Sequence, residues 1–202
     1  MAMNLLHRRR CSSASWAEMV QDELLPWALS DVELGDRTLE IGPGYGATLR
    51  ALVKKAGTVT AVEVDKPMAD RLQRLYGDRA QVIHGDGANT GLPDNNFTSV
   101  VCFTMLHHVP TARLQDQLFA EAFRVLTPGG VFAGSDRVPS FAFRLVHIGD
   151  VYNPVTPDDL RKRLGRAGFT DVSIGTAGSR MRWRAIKPLE FGYAGESTRP
   201  GV

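Results

Sequence analysis

TLEIGPGYGATLRALV, residues 38–53, joins an apolar run to a helical pattern through three glycines and a proline. Thr38–Ile41 is short and mostly apolar, which predicts a buried strand. A helical pattern begins at Ala47, runs to about Lys55 and stops at Gly57. Between strand and helix stand Gly42-Pro43-Gly44-Tyr45-Gly46, with Glu40 just upstream. Glycine permits positive φ and lets another group approach the backbone closely. The free N–H groups of the helix that follows open onto the same place. The segment is therefore either a tight strand-to-helix connection or the floor of a ligand site. Its spacing is G-x-G-x-G, not the G-x-G-x-x-G of dinucleotide folds.

Working outward, the pattern repeats. Thr58–Val64 is β-branched and apolar and predicts a second strand; Pro67–Tyr76 is helical and closed by Gly77. Ala80–His84, Ser99–Met105 and Val131–Ser135 read as further strands, with a helix over Thr111–Leu126 ended by Thr127-Pro128-Gly129-Gly130. Thr156 is an N-cap candidate, with Pro157 at the first helical position, Asp158-Asp159 in the first turn and Gly168 as the stop. Asp171–Thr176 and Met181–Ile186 close the chain as two strands joined by a turn containing Gly178. Strand and helix alternating at this spacing mean βαβ units and a parallel sheet covered on both faces. The short final turn demands an antiparallel pair. The fold class expected is α/β, a doubly wound, mostly parallel seven-stranded sheet with a C-terminal antiparallel hairpin. Upstream, Ser12 or Ser13 caps an amphipathic helix to about Leu29, with Trp16, Met19, Val20, Leu24 and Trp27 on one face and Pro26 weakening its end. The domain expectation is a tail and cap helix over 1–30, one domain over 31–194 with 135–155 as a substrate lid, and a tail over 195–202.

The bulk numbers suit one globular unit: 202 residues, 43% hydrophobic, 23% charged, net charge +2. That charge is too small to argue for nucleic acid. Cys11 and Cys102 make no disulfide framework, and Cys102 lies in an apolar run that suits the core. No apolar stretch reaches the roughly 20 residues of a membrane span, and no secretory leader is evident behind Arg8-Arg9-Arg10, so the expectation is a cytoplasmic protein.

Two carboxylates strengthen the ligand reading of the glycine turn. Glu63 ends the second strand, beside Val64, where a carboxylate can accept both hydroxyls of a ribose. Asp86, in VIHGDGAN after the third strand, can accept from an adenine amine while Gly87 and Ala88 flank the ring. Taken singly, Glu63 is a solvated strand end and Asp86 an Asx turn. Taken together, they place acceptors at the ends of three successive strands.

Glu40-Ile41-Gly42-Pro43-Gly44-Tyr45-Gly46, Val62-Glu63-Val64-Asp65, Gly85-Asp86-Gly87, Met105-Leu106-His107-His108-Val109 and Arg124-Val125-Leu126-Thr127-Pro128-Gly129-Gly130 together resemble the class I S-adenosylmethionine-dependent methyltransferases, over about residues 36–136. The resemblance implies S-adenosyl-L-methionine as cofactor and S-adenosyl-L-homocysteine as product. It implies that Glu40 and Gly42, Pro43, Gly44, Tyr45 and Gly46 hold the methionine end, Glu63 and Val64 the ribose, Asp86 and Gly87 the adenine, and that Phe103 and Thr104 line the reactive side. The first half is also similar to the ribosomal RNA adenine dimethyltransferases. Those enzymes need an Asn-x-Pro-Tyr type tetrapeptide after the fourth strand to catch a flipped adenine. Here the corresponding stretch reads Phe103-Thr104-Met105-Leu106-His107-His108, with no Asn, Pro or Tyr. The LHHV and RVLTPGG pair instead resembles the enzymes that methylate an O, N or C nucleophile of a small molecule. The expectation is therefore a small-molecule acceptor, with an RNA or protein methyltransferase, or a non-catalytic S-adenosylmethionine-binding module, as the alternatives.

Methyl transfer from a sulfonium needs positioning, desolvation and, for an un-ionised hydroxyl, a base. His107 and His108 are the base candidates; packing or capping of the next segment is the competing role, because adjacent residues seldom both face one pocket. His147, Asp150 and Tyr152, in the long connector 135–154, are substrate candidates, and Phe141–Ile148 reads as a short helix. No metal is expected, since two ligands on one helix face need i,i+4 spacing and His107 and His108 are adjacent. Arg161-Lys162-Arg163 with Arg166 reads as a solvated helix face, and Arg180, Arg182 and Arg184 share one strand face open to an anionic partner.

Overall fold

Arg37–Ile41 (β1), Thr58–Glu63 (β2), Ala80–His84 (β3), Phe97–Phe103 (β4), Leu126–Arg137 (β5), Thr170–Ala177 (β6) and Arg180–Ile186 (β7) form one seven-stranded sheet in the order β3-β2-β1-β4-β5-β7-β6. This is a computed structural model, and it describes residues 5–189. The expected tail over 195–202 lies outside the described residues. β1 to β5 are mutually parallel, while β7 runs antiparallel to both β5 and β6. The doubly wound sheet and its antiparallel hairpin are thus as the sequence pattern predicts. β5 is longer than the Val131–Ser135 expected, because Leu126 pairs with Phe97 before the Gly129-Gly130 irregularity and Arg137 pairs with Arg180 at the far end.

Leu5–Cys11 (α1), Ala14–Met19 (α2), Leu25–Ala28 (α3), Ala47–Leu52 (α4), Lys66–Tyr76 (α5), Ala112–Val125 (α6), Phe141–Val146 (α7) and Pro157–Arg166 (α8) surround the sheet. Side-chain caps start five of them where short polar residues stand: Ser13, Asp65, Thr111, Ser140 and Thr156 each accept from the backbone N–H three residues on. The expected single helix to Leu29 is broken in character rather than in direction. A π-turn over Val20–Leu24 carries α2 into α3 just ahead of Pro26. Proline has no N–H to donate and crowds the preceding turn, and the wider turn accommodates both defects.

Two apolar layers cover the sheet. Leu39, Ile41, Phe119, Phe132, Leu160 and Trp183 belong to one, and Leu25, Leu49, Leu52, Ala61, Leu72 and Val101 to the other. Arg161, Lys162 and Arg166 are exposed, as a solvated helix face requires, but Arg163 departs from that expectation. Arg163 is buried and donates to Asp116 (2.7 Å), Gln115 (2.8 Å) and the Ala112 carbonyl (2.6 Å), tying α8 to α6 rather than facing solvent. Arg182 donates to the Trp27 carbonyl (2.5 Å), and Arg184 to Asp171 (2.6 Å). Arg182 also pairs with Asp31, and Arg180 with Glu23. The arginine row that could have met an anionic partner is therefore matched by this chain's own carboxylates. No helix among the described residues is long and apolar enough to cross a membrane.

Candidate active site

The strand order reverses at β1, which has β2 on one side and β4 on the other. Connections leave β1 and β4 in opposite directions there, so a crevice opens beyond their carboxyl ends. A cavity of about 320 Å³ occupies it, within the range of small-ligand sites. Its floor is the glycine turn. Gly42, Gly44 and Gly46 have φ of +70°, +55° and +84°, a left-handed run that a side chain would strain. A Cβ on Gly42 would stand 2.7 Å from Met105 Cε, and one on Gly46 2.6 Å from Leu72 Cδ2. A Cβ on Gly44 would meet only Met68 Sδ, at 4.0 Å, so this glycine leaves backbone bare toward the cavity.

Glu63 is buried, and both its carboxylate oxygens are held. Oε2 accepts from Gly44 N and Oε1 from Asp65 N, each at 3.0 Å. The side chain thereby clamps the glycine turn to the end of β2 and still lines the cavity with its remaining lone pairs. Asp86 forms the expected Asx turn, accepting from Ala88 N at 2.9 Å, and it also lines the cavity with Gly87 and Ala88. The local and the ligand roles are compatible, because a carboxylate has more acceptor sites than either bond uses.

Most of the expected cofactor residues meet in this one cavity: Gly42, Pro43, Gly44, Tyr45, Glu63, Val64, Asp86, Gly87, Phe103 and Thr104. Thr104 has φ +50°, a strained value for a β-branched residue, and its N–H donates to Ser135 O at 2.7 Å. Tyr45 both lines the cavity and accepts from Arg8 Nε at 3.3 Å. Two expected residues do not line it. Gly46 instead caps the start of α4. Glu40 faces the opposite side of β1 from Ile41, where it is buried and accepts from Thr48 Oγ1, a residue that does line the cavity. Its other oxygen, Oε2, has no partner among the described residues. Burial pushes its carboxyl up to about 8, the bond from Thr48 opposing and the nearby Glu63 charge adding.

The histidines divide. His108 lines the cavity, while His107 stands behind the wall with its ring against Asp136. His147 and His107 approach to 5.0 Å between ring centroids, so adjacency did not prevent a cluster. The turn Leu106–His108 is a 3₁₀ turn, and it leaves the two neighbouring rings 4.1 Å apart. His147, Asp150 and Tyr152 line a separate, more open groove with Arg144, Ile148, Asn153 and Pro154. The sequence reading missed Cys11, Val20, Thr48, Met68, Val109, Pro110, Leu114 and Leu118, which line the main cavity. All but Cys11, Thr48 and Pro110 are ordinary apolar positions, so nothing in a single sequence separates them from core. Trp16 and Val20 do bring the N-terminal helix over the cavity.

A methyltransferase domain is recognised over residues 39–134. The chain is 28% identical over 116 residues to a 24-methylenesterol C-methyltransferase 2 of Oryza sativa subsp. japonica, covering 54% of this chain and 31% of that one. It is 43% identical over 60 residues to a ribosomal RNA small subunit methyltransferase A of Thermosynechococcus vestitus, covering 29% and 23%. The chain thus spans less than a third of the length of either. Among solved structures, a SAM-dependent methyltransferase from Archaeoglobus fulgidus superposes with a TM-score of 0.74 over 90% of this chain and 98% of its own, at 16% identity.

Proposed function

We propose, from the premise that this chain carries a methyltransferase domain in the class I fold, that it transfers a methyl group from S-adenosyl-L-methionine to an O, N or C nucleophile of a small molecule. The observation that carries this reading is the convergence of the bare Gly44 backbone, the Glu63 carboxylate and the Asp86 turn on one cavity at the strand tips. The residues fit the cofactor. The Glu63 and Asp86 carboxylates would accept from ribose hydroxyls and an exocyclic amine, and Ile41, Val62 and Leu118 line the same cavity with apolar surface that would suit a flat base.

When bound, S-adenosylmethionine supplies a methyl group already activated by the sulfonium charge. The chain's own work is placement and drying. Glu63, fixed by two N–H donors, presents its free edge to the ribose; Asp86 and Gly87 receive the adenine; the turn from Gly42 to Tyr45 receives the methionine end. Trp16, Val20 and Leu114 exclude water from above and beside. Phe103, Thr104, Met105 and His108 form the wall of β4 where an acceptor would stand. A neutral His108 imidazole there can take a proton from a hydroxyl nucleophile. Glu40 supports the turn from behind through Thr48 rather than by contact.

The stretch matching the ribosomal RNA enzyme favours a second reading, an RNA acceptor. Against it stand Phe103-Thr104-Met105-Leu106 in place of the adenine-catching tetrapeptide and an arginine row engaged by Glu23, Asp31 and Asp171. A labelled-methyl assay against separated metabolite and RNA fractions distinguishes the two. The cofactor site is tested by calorimetry. Glu63→Ala weakens S-adenosylmethionine about 100-fold, because it loses the ribose acceptor and loosens Gly44 together, and Asp86→Ala weakens it about 10-fold, each reading about 1.4 kcal/mol per decade. Parent-like affinity in both folded variants overturns the site.

A further inference from the structure

We propose that His107, His108 and His147 form a binding site for one divalent transition-metal ion of the zinc type. The three side chains are buried, and one nitrogen from each lies within 4.8 Å of the others. Their ring centroids are 4.1, 5.0 and 5.4 Å apart. Three imidazoles around one ion at 2.0–2.1 Å place their centroids about 5 Å apart and their ligating nitrogens about 3.3 Å apart. The remaining closure is a matter of turning rings about their last side-chain torsion, which has a broad energy well.

The surroundings are those of a ligand set. His107 Nδ1 stands 2.6 Å from Asp136 Oδ1, and His147 Nδ1 stands 2.8 Å from the Phe143 carbonyl. Both partners are acceptors, so each Nδ1 carries the proton and each Nε2 presents a lone pair. A carboxylate and a backbone carbonyl are the outer partners that metal-bound histidines use to fix tautomer and raise basicity. Asp136 is itself fixed, accepting from His107 N at 2.9 Å and Arg137 N at 2.7 Å. His107 Nε2 is buried with no hydrogen-bond partner among the described residues. An Asp–His ion pair accounts for Nδ1 and leaves that nitrogen unexplained; a metal accounts for both. Three imidazole nitrogens suit zinc, copper, iron or nickel rather than magnesium or calcium.

The cluster lies between two cavities: His108 lines the main one and His147 the open groove. An ion there would border the place where the methyl acceptor is proposed to stand, and it would occupy the His108 lone pair, so metal ligation and proton acceptance are alternative states of that side chain. That consequence rests on the methyltransferase reading, whereas metal binding does not.

The test uses the untagged full chain, stripped with a chelator and kept free of S-adenosylmethionine. Co²⁺ and Zn²⁺ are titrated in, read by visible absorption and by metal analysis after gel filtration. The expected result is one ion per chain, with the intense ligand-field bands of tetrahedral Co²⁺ that Zn²⁺ displaces. His147→Ala abolishes the bands and weakens binding at least ~100-fold, Asp136→Asn weakens it about 10- to 100-fold, and exposed His84→Ala leaves it unchanged. His107→Gln, folded by circular dichroism, gives the same loss should His147→Ala not fold. Absence of saturable binding, binding that survives both histidine variants, or loss in His84→Ala overturns the proposal.

Discussion

At the β1–β3 end of the crevice, each polar group facing the cavity sits within a few residues of a strand terminus: Gly44 after β1, Glu63 on β2, Asp86 after β3. At the β4–β5 end, His107 and Asp136 are 29 positions apart and His147 stands 11 beyond Asp136, and they meet only because β4 and β5 are neighbours and the segment of α7 brings Phe143 and His147 against the His107 ring. The first end is held by backbone: left-handed glycines and a carboxylate bonded to two N–H groups. The second is held by side-chain packing, with Phe143 4.9 Å from the His107 ring and 4.4 Å from that of His147. The difference separates a site written in local conformation from one that exists only after the chain has folded.

The same methyl group added at each end has unequal effects. Gly46 and Gly149 have nearly the same φ, +84° and +85°. Gly46→Ala adds a left-handed strain to a Cβ 2.6 Å from buried Leu72 and lowers unfolding free energy by about 2–4 kcal/mol. Gly149→Ala, with nothing within 4 Å of its Cβ, costs about 1 kcal/mol. Denaturant unfolding of both reads the gap, and equal losses would erase the distinction.

Glu40 has its folded carboxyl raised to about 8, above its ordinary value, by burial. Such a group supports the fold fully below its unfolded pKa and loses that support as pH rises through about 8. Glu40→Gln, which cannot ionise, therefore gains on the parent by about 2 kcal/mol or more at pH 9 and by little at pH 5. Thermal melts across that range check it; a difference that stays flat or narrows with pH contradicts the burial argument.

The smallest effect isolates the second end. Ser140→Ala removes the cap of α7, worth about 1 kcal/mol. Amide exchange speeds over residues 141–146, while S-adenosylmethionine affinity stays at the parent value. A fall in cofactor affinity would mean that the two ends are one mechanical unit.

The glycine turn, Glu63, Asp86 and the strand alternation are legible in the sequence because each depends on residues adjacent in the chain. Left-handed φ needs glycine, a cap needs a short oxygen, and a buried strand needs an apolar run; these constraints act over a turn or less. Glu40 shows the same reason in reverse. Its neighbours say that it stands next to a ligand turn, but the alternation of β1 sends its side chain to the other face. Arg163 was read as solvated because helix spacing shows a face and not what α6 lays against it.

By itself, then, the sequence determined the order of strands and helices, the antiparallel end of the sheet and the turns that open the cavity, since local backbone chemistry specifies them. Only the tertiary structure decided that α2 roofs the cavity, that the arginine row is already paired, and that three histidines share one buried corner. Those outcomes turn on distances between residues far apart in the chain, which the sheet order sets and no short stretch encodes.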